Sequence, residues 1–307
     1  MRIAVMGAGG VGGYFGARLA QAGHEVAFVA RGRHLLAIKE RGLLVTSVLG
    51  DMRLERPVVT DDPSTMGWFD VVLFAVKLWD TESAAAAIKP LLAAGGVVIP
   101  FQNGVESIER IGAVVGAAQV MGGAAYIAAK ISEPGVVAHT GTLARLRFGA
   151  VVPSQQPVAE ALLAVCKGAG IDAEIVADIR QALWTKFVFL TALSGVTAAT
   201  RQPIGVIRAD ADLRATFEAS MREVWTVGRA RGIALPDDLV ATQMAFGDGL
   251  PAEMKASMLH DLDAGNRLEA PWLSGAVSRM AKESGLSAPV NATLYAAVKP
   301  YCMGRSA

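Results

Sequence analysis

Residues 1–20 read MRIAVMGAGGVGGYFGARLA, and this stretch decides the fold of the chain. It opens on an apolar run, 1–6, that has the length of one buried strand, and it continues as a G-x-G-x-x-G turn. Glycine suits such a turn because it permits tight bending, close approach of the backbone to a pyrophosphate, and close packing of helix on strand. A strand that ends in this turn is typical of dinucleotide-binding domains. We therefore predict a cofactor-binding loop formed by Gly7, Gly9, Gly10, Val11 and Gly12.

The segments that follow the turn support this prediction. A helix is predicted next, since Phe15, Leu19 and Ala22 keep helical spacing and the periodicity stops at Gly23. A second strand is predicted over 24–30. The first amide groups of the helix have no partners within it, so they form a site for an anion such as phosphate.

The residue after the second strand indicates which dinucleotide binds. NAD sites usually place Asp or Glu about 20 residues beyond the turn, where the carboxylate accepts from the ribose 2′-hydroxyl. This chain has Arg31, followed by Arg33 and His34, and the next carboxylate is Glu40. We therefore predict that the cofactor is NADP (NADPH) and that Arg31 binds its 2′-phosphate. The alternative is that Arg31 and Arg33 are solvated loop charges.

The charge balance bounds the class of partner. The 307 residues include 29 Lys and Arg against 28 Asp and Glu, a net charge of +1. Such a balance lacks the basic footprint of proteins that bind nucleic acid or an anionic membrane. We therefore predict a small-molecule substrate, with neither nucleic acid nor membrane as a partner. The sequence leaves the oligomeric state open, and a homodimer is one of the alternatives.

Cysteine usage and the N-terminus indicate the compartment. Cys166 and Cys302 lie far apart, without a C-x-x-C motif or paired histidines, which argues against a disulfide framework and against a metal site. The first strand occupies the N-terminus and leaves no room for a signal peptide. We therefore predict a cytoplasmic protein. The most apolar stretch, 187–199, is short and rich in Thr, Ser and Gly for a membrane span, so we predict a buried helix there.

The two halves of the chain differ in pattern. Up to about residue 177, short apolar runs such as 71–76 and 97–99 alternate with helical segments, which is typical of a parallel sheet. Strand-like pieces between 119 and 150 are predicted to close that sheet. Beyond this half the periodicity is helical. We predict an α/β fold, with an NADP-binding Rossmann domain (a mostly parallel, doubly wound sheet) at 1–177 and an all-helical substrate and catalytic domain at 178–307.

Two polar residues follow predicted strands at the edge of the sheet where cofactors bind in such folds. Lys77 comes directly after the strand predicted at 71–76, and Asn103 follows the strand predicted at 97–99. From there Lys77 could reach a phosphate, a ribose or a substrate. The alternatives are a lysine in solvent and an ordinary Asn-Gly turn.

Lys186 is more informative. Its helical neighbours at three and four positions either way are apolar: Ala182, Leu183, Phe189 and Leu190. A charge on an apolar helix face is costly unless it is paired or meets water. Lys186 therefore either extends to the surface or faces a wet cleft. Glu269 precedes an apolar helical segment, where a carboxylate is also favoured simply by the helix dipole.

Taken together, these segments resemble the ketopantoate reductase family, in the same order and over nearly the whole chain. The set comprises GAGGVGGYFGARLA at 7–20, Val76-Lys77, Gln102-Asn103-Gly104, Leu183-Trp184-Thr185-Lys186, Ser257-Met258-Leu259-His260-Asp261, and Asn266 to Glu269. No single piece is specific, but the combination is. The resemblance implies a Rossmann domain followed by a helical domain, and NADPH-dependent reduction of 2-dehydropantoate to pantoate.

The resemblance also implies roles for individual residues. Lys186 would be the catalytic lysine and Glu269 its carboxylate partner, Asn103, Ser257 and Ser194 would contact the substrate, and Lys77, with Asn103, would contact the cofactor. The chemistry agrees, because hydride transfer to a keto carbon builds negative charge on oxygen. A protonated lysine at that oxygen can donate its proton.

The chain departs from the family pattern at three positions. Similar enzymes commonly have asparagines where this chain has Leu190, Ser194 and Met254. A pocket that binds a substrate hydroxyl discriminates through its buried polar groups. These replacements therefore leave a more apolar 2-keto acid as the alternative to 2-dehydropantoate.

Three functions are compatible with the sequence. The first is an NADPH-dependent 2-keto acid reductase of this family. The second is a 3-hydroxy acid dehydrogenase, against which the segment from Ser257 to Glu269 argues. The third is an NADP-binding sensor without turnover. Lys186 and Glu269 argue against a sensor, whereas Leu190 and Met254 leave it open.

Overall fold

A computed structural model describes residues 1–305 of the protein. Over this part of the chain the strands are β1 (Arg2–Met6), β2 (Glu25–Val29), β3 (Leu43–Ser47), β4 (Met52–Leu54), β5 (Val58–Thr60), β6 (Phe69–Phe74), β7 (Leu92–Pro100), β8 (Gly122–Glu133), β9 (Val136–Gly149) and β10 (Asp172–Ile175). The α-helices are α1 (Gly10–Gln21), α2 (Gly32–Arg41), α3 (Thr81–Ile88), α4 (Ser107–Val115), α5 (Gln156–Gly168), α6 (Ile179–Thr200), α7 (Ile204–Ala209), α8 (Ala211–Ala230), α9 (Leu239–Asp248), α10 (Ser257–Ala264), α11 (Ser274–Glu283) and α12 (Pro289–Val298).

The first sheet is parallel throughout and has the order β5-β2-β1-β6-β7. Its central strand is β1, whose side chains Ile3 and Val5 are completely buried. The residues at 3–6 are all buried, which explains why they are apolar without alternation, as in strands covered on both faces. The strand, the turn and the helix predicted from residues 1–20 are confirmed, as is the α/β fold with a Rossmann-type parallel sheet.

The strand-like pieces between 119 and 150 do not close that sheet, so this expectation is wrong. They form a long hairpin in which β8 pairs with β9 from Gly122↔Gly149 to Glu133↔Val136. The other edge of β9 pairs with β3 along 136–139 and with β10 along 145–148, which makes a second sheet. An isolated bridge, Val98↔Val120, connects the segment before β8 to strand β7 of the first sheet.

Contacts within the chain divide it into two compact units. The first comprises Met1–Gln102 and Glu106–Ile179, and the second comprises Asn103–Val105 and the chain from Arg180 onward. The second unit is helical in its described part, in agreement with the prediction for the second half. The predicted functional division into an NADP-binding domain at 1–177 and a substrate domain at 178–307 stays a prediction.

The apolar helix predicted around 187–199 is α6. By length and composition it could cross a membrane, with a mean hydropathy of 1.4 over its most apolar window. However, 72% of that window is buried within the protein, as is usual for the core helix of a helical unit. Phe187, Val188 and Ala192 of α6 pack in the apolar core of the second unit.

Candidate functional site

The glycine turn joins β1 to α1 and leaves the first turn of the helix without a side-chain cap. Gly7 has a φ of +101°, and its N–H and that of Ala8 donate to the carbonyl of Val29 at 3.1 and 3.0 Å. Gly9 precedes the first turn of α1, and no side chain caps that turn. The amides of the first turn are thus left for an outside acceptor, where the helix dipole favours negative charge.

The glycines of the turn serve different purposes. A Cβ on Gly12 would lie 2.2 Å from the carbonyl oxygen of Gly7, and one on Gly10 would lie 2.1 Å from that of Ala129. At these two positions glycine is needed for packing within the protein. Gly9 differs, since a Cβ there would meet no atom within 4 Å. The turn is therefore open to its surroundings at Gly9.

Arg31 lies where the sequence predicts, directly after β2 and before the first residue of α2. Its Nη2 lies 2.5 Å from Oδ2 of Asp80. Asp80 was not predicted as a partner of Arg31, because it lies outside the loop that follows the second strand. The signal was available in the sheet order, since β2 and β6 both pair with β1 and the segments after them meet at one edge.

Lys77 and Gln102 follow β6 and β7. Lys77 is exposed, and its Nζ lies 5.8 Å from the centroid of the Trp79 ring. Gln102 is buried, and its Nε2 donates to the carbonyl of Val76 at 2.9 Å and to Oγ1 of Thr81 at 3.0 Å. Gln102 was not predicted as a site residue, yet its amide links the segments that follow the adjacent strands β6 and β7.

In the second unit the structure brings together Lys186, Asn103 and Glu269. Lys186 lies on α6 and donates from Nζ to Oδ1 of Asn103 at 3.3 Å. Burial lowers the pKa of Lys186 to about 8, while the carboxylate of Glu269 acts in the opposite direction. Glu269 is 8% exposed and directly precedes the short 3-10 helix Ala270–Trp272. The cluster is thus a half-buried ammonium group with a nearby carboxylate and an amide acceptor.

The two predicted serines differ in their surroundings. Ser257 is the first residue of α10 and is exposed. Ser194 is completely buried on α6, and its Oγ has no hydrogen-bond partner in the described part of the chain. The same holds for Oγ1 of Thr191 and Oγ of Ser274. Buried hydroxyls without partners are uncommon and destabilising.

The other two positions that depart from the family pattern carry apolar side chains, and these differ in burial. Leu190 is partly buried and packs against the apolar core of the second unit. The side chain of Met254 is 37% exposed, and its carbonyl accepts from the N–H of Ile204 at 3.0 Å. Over residues 1–305, the structure has no group of three or more His, Cys, Asp or Glu that could hold a metal ion.

Comparison with protein families agrees with the order of motifs along the chain. Residues 3–153 match the family model described as ketopantoate reductase PanE/ApbA, and residues 178–301 match the model of its C-terminal domain. A 2-dehydropantoate 2-reductase of Archaeoglobus fulgidus is 32% identical over 95% of this chain and 95% of its own length. An oxidoreductase of Bacillus subtilis, YkpB, is 31% identical over 98% of this chain and 99% of its own length.

Solved structures show the same likeness. A ketopantoate reductase of the PanE/ApbA family from Ralstonia eutropha has a TM-score of 0.89 and 34% identity, and covers 98% of each chain. A D-mandelate dehydrogenase solved with NADH and anilino(oxo)acetate has a TM-score of 0.90, again over 98% of each chain. Its identity is only 21%, so it shows a shared fold.

Proposed function

The chain belongs to the ketopantoate reductase family, and on this premise we propose that it reduces the keto group of a small 2-keto acid with NADPH. Members of the family are oxidoreductases. The observation that carries the proposal is the cluster in the second unit, where the half-buried Lys186 lies near the carboxylate of Glu269 and donates a hydrogen bond to Asn103.

Lys186 is the general acid in this proposal. NADPH, when bound, supplies the hydride that reduces the keto carbon, and the keto oxygen gains negative charge. An ammonium group at that oxygen stabilises the charge and then donates a proton, which yields the hydroxyl of the product. With a pKa of about 8, Lys186 is about nine-tenths protonated at pH 7 and yet releases its proton readily.

Glu269 and Asn103 prepare the lysine for this step. Burial alone favours the neutral amine, and the carboxylate of Glu269 opposes that effect, so the ammonium form persists near neutral pH. Oδ1 of Asn103 accepts one of the three N–H groups of the ammonium and thereby fixes its direction. In our proposal the keto oxygen of the substrate accepts a hydrogen bond from the same ammonium group.

The first unit holds the cofactor in this proposal. Gly7, Gly9, Gly10, Val11 and Gly12 present the backbone to the pyrophosphate, and Arg31 binds the 2′-phosphate. Lys77 contacts the cofactor, and Asn103 contacts both the cofactor and the substrate. Binding of a nicotinamide dinucleotide agrees with the geometry of the turn and with the family.

The named substrate of several relatives is 2-dehydropantoate, and we propose it first. A more apolar 2-keto acid is the second candidate, favoured by Leu190 and by the short side chain of Ser194. Ser257 contacts the substrate in either case. We also propose that the protein acts in the cytoplasm, since Cys166 and Cys302 are free thiols, as is usual in a reducing compartment. A homodimer stays a prediction.

One pair of substrates distinguishes the two candidates. 3,3-Dimethyl-2-oxobutanoate differs from 2-dehydropantoate only by the loss of the 4-hydroxyl group. Oxidation of NADPH is followed by absorbance with each acid and with a wider panel of 2-keto acids. A higher kcat/KM for 2-dehydropantoate supports the first candidate, and a higher value for its dehydroxylated analogue supports the second. Tight NADPH binding without turnover of any 2-keto acid would contradict the proposal and favour a sensor.

A further inference from the structure

An ion pair links the segments that follow two strands of the first sheet. Arg31 comes after β2, Asp80 comes after β6, and their side chains meet with Nη2 and Oδ2 2.5 Å apart. The strand β1, which continues into the glycine turn, pairs with both β2 and β6. The ion pair thus spans the edge of the sheet outside β1, where folds of this class bind their dinucleotide.

The two side chains of this ion pair differ in how exposed they are to solvent. The side chain of Asp80 is 22% exposed, and that of Arg31 is 76% exposed. The backbone at Asp80 is fixed, since its N–H donates to the carbonyl of Lys77 at 2.9 Å and its own carbonyl accepts from Oγ of Ser83 at 3.1 Å. When a second anion approaches, the carboxylate therefore stays in place and the guanidinium is the group that moves.

We propose that Asp80 is a specificity-determining residue, which competes with the 2′-phosphate of the cofactor for Arg31 and so weakens the preference for NADPH over NADH. The inference rests on the proposed role of Arg31 as the ligand of that phosphate. A phosphate that shares one guanidinium with a fixed carboxylate meets repulsion between like charges. NADH carries no 2′-phosphate, and its ribose hydroxyls can donate hydrogen bonds to the carboxylate of Asp80.

The surrounding cations explain why this carboxylate weakens NADPH binding rather than abolishing it. Arg33 is exposed two residues beyond Arg31, and Lys77 lies three residues before Asp80. These side chains attract a phosphate, and Asp80 opposes part of that attraction. The expected behaviour is that of a protein which binds both dinucleotides, with a preference that depends on a single carboxylate.

The test measures equilibrium binding without any keto acid. Adenosine 2′,5′-bisphosphate and adenosine 5′-monophosphate differ only in the 2′-phosphate, and both are titrated by calorimetry, with NADPH and NADH titrated by fluorescence. Asp80→Asn should tighten the binding of the bisphosphate and of NADPH about tenfold. The affinities for the monophosphate and for NADH should stay the same or fall. Asp80→Ser is the second variant, in case the asparagine destabilises the fold.

Two controls isolate the effect of the ion pair. Glu82→Gln makes the same change of charge two residues beyond Asp80, in the first turn of α3, but Glu82 pairs with Arg110 at 2.7 Å, so the affinity ratio should not change. In an Arg31→Ala background the gain from Asp80→Asn should shrink to less than about threefold, because coupled residues do not act additively.

Three results would overturn the proposal. In the first, Asp80→Asn changes the dissociation constants of both members of a ligand pair equally. In the second, it leaves that of the phosphorylated member unchanged, and in the third, Glu82→Gln produces the same change as Asp80→Asn. Failure of the proposed function looks different. In that case no 2-keto acid is reduced, while the ratio of the dinucleotide affinities still responds to Asp80→Asn.

Discussion

Nζ of Lys186 donates to Oδ1 of Asn103 at 3.3 Å, although the two residues are 83 positions apart in the sequence. Asn103 belongs to a three-residue segment, Asn103–Val105, that groups with the helical unit rather than with the strands before it. The side-chain amide of Asn103, shortly after β7, thus contacts Lys186 of α6. A hydrogen bond of this kind fixes the direction of an ammonium group, and fixed direction is what a general acid needs.

Removal of Lys186 should abolish the chemistry and spare cofactor binding. We expect Lys186→Ala to lower kcat for the best 2-keto acid by roughly 10²–10⁴-fold, the usual contribution of a positioned acid. The dissociation constant of NADPH, measured by fluorescence, should change less than about twofold. Lys255→Ala is the matched control, since Lys255 is a partly exposed lysine that pairs with Asp263. A Lys186→Ala variant that keeps most of its turnover would show that another group donates the proton.

The pH dependence of reduction should follow the ammonium form of Lys186. Its pKa is about 8, so kcat/KM should fall as the pH rises beyond 8 and the donor is lost. Glu269→Gln removes the carboxylate that raises this pKa, so the same decline should begin at lower pH. Initial rates from pH 6 to 10 measure both profiles. A decline that stays at the same pH in Glu269→Gln would exclude the electrostatic role of Glu269.

The lowered pKa of Lys186 also predicts a trend in stability. In the folded protein Lys186 titrates near 8, whereas in the unfolded chain it titrates near 10.5, so between these values the unfolded chain binds more protons. Folding stability therefore rises with pH across that window by up to about 3 kcal/mol from this group. Lys186→Met lacks the contribution. Urea unfolding at pH 7.5 and pH 10 measures the free energy of unfolding of both proteins, and that of wild type should rise relative to that of the variant. An equal change in both proteins would contradict the lowered pKa of Lys186.

The glycine turn allows binding to be separated from folding. A Cβ on Gly9 meets no protein atom, yet it occupies the side of the turn where we place the pyrophosphate. Gly9→Ala should therefore leave the melting temperature nearly unchanged and weaken NADPH binding at least about tenfold. Gly168→Ala on α5 is the control, because a Cβ there also meets nothing within 4 Å. Unchanged affinity in Gly9→Ala would place the phosphates elsewhere.

The sequence predicts those parts of the fold that depend on neighbouring residues. The β1-turn-α1 unit, the helical second half and the exposed position of Arg31 follow from local periodicity and glycine placement. The partner of Arg31 does not, because Asp80 lies 49 residues away and reaches it only through the strand order. The second sheet was missed for the same reason, since the pairing of β9 with β3 and β10 is not encoded locally.

His34 connects the glycine turn to the β8–β9 hairpin, and its protonation should loosen that connection. Nδ1 accepts from the N–H of Gly135 at 3.0 Å, and Nε2 lies 2.8 Å from the carbonyl of Ala8, so the neutral ring carries its proton on Nε2. Burial lowers the pKa of His34, and the hydrogen bond to Ala8 opposes that effect. A second proton on Nδ1 would face the N–H of Gly135 and break that hydrogen bond.

The sign of the pH effect follows from the lowered pKa of His34. Its contribution to stability is present above the ordinary value of 6.5 and is lost as the pH falls through the lower folded value. We expect a loss of about 0.5–1.5 kcal/mol, the net value of one hydrogen bond, and weaker NADP⁺ binding at pH 5 than at pH 7. His34→Gln keeps a donor and an acceptor without titrating, so it should lose less affinity. Wild type and His34→Gln are titrated with the same NADP⁺, so protonation of its phosphate affects both affinities equally. Equal losses of affinity in the two proteins would contradict this role for His34.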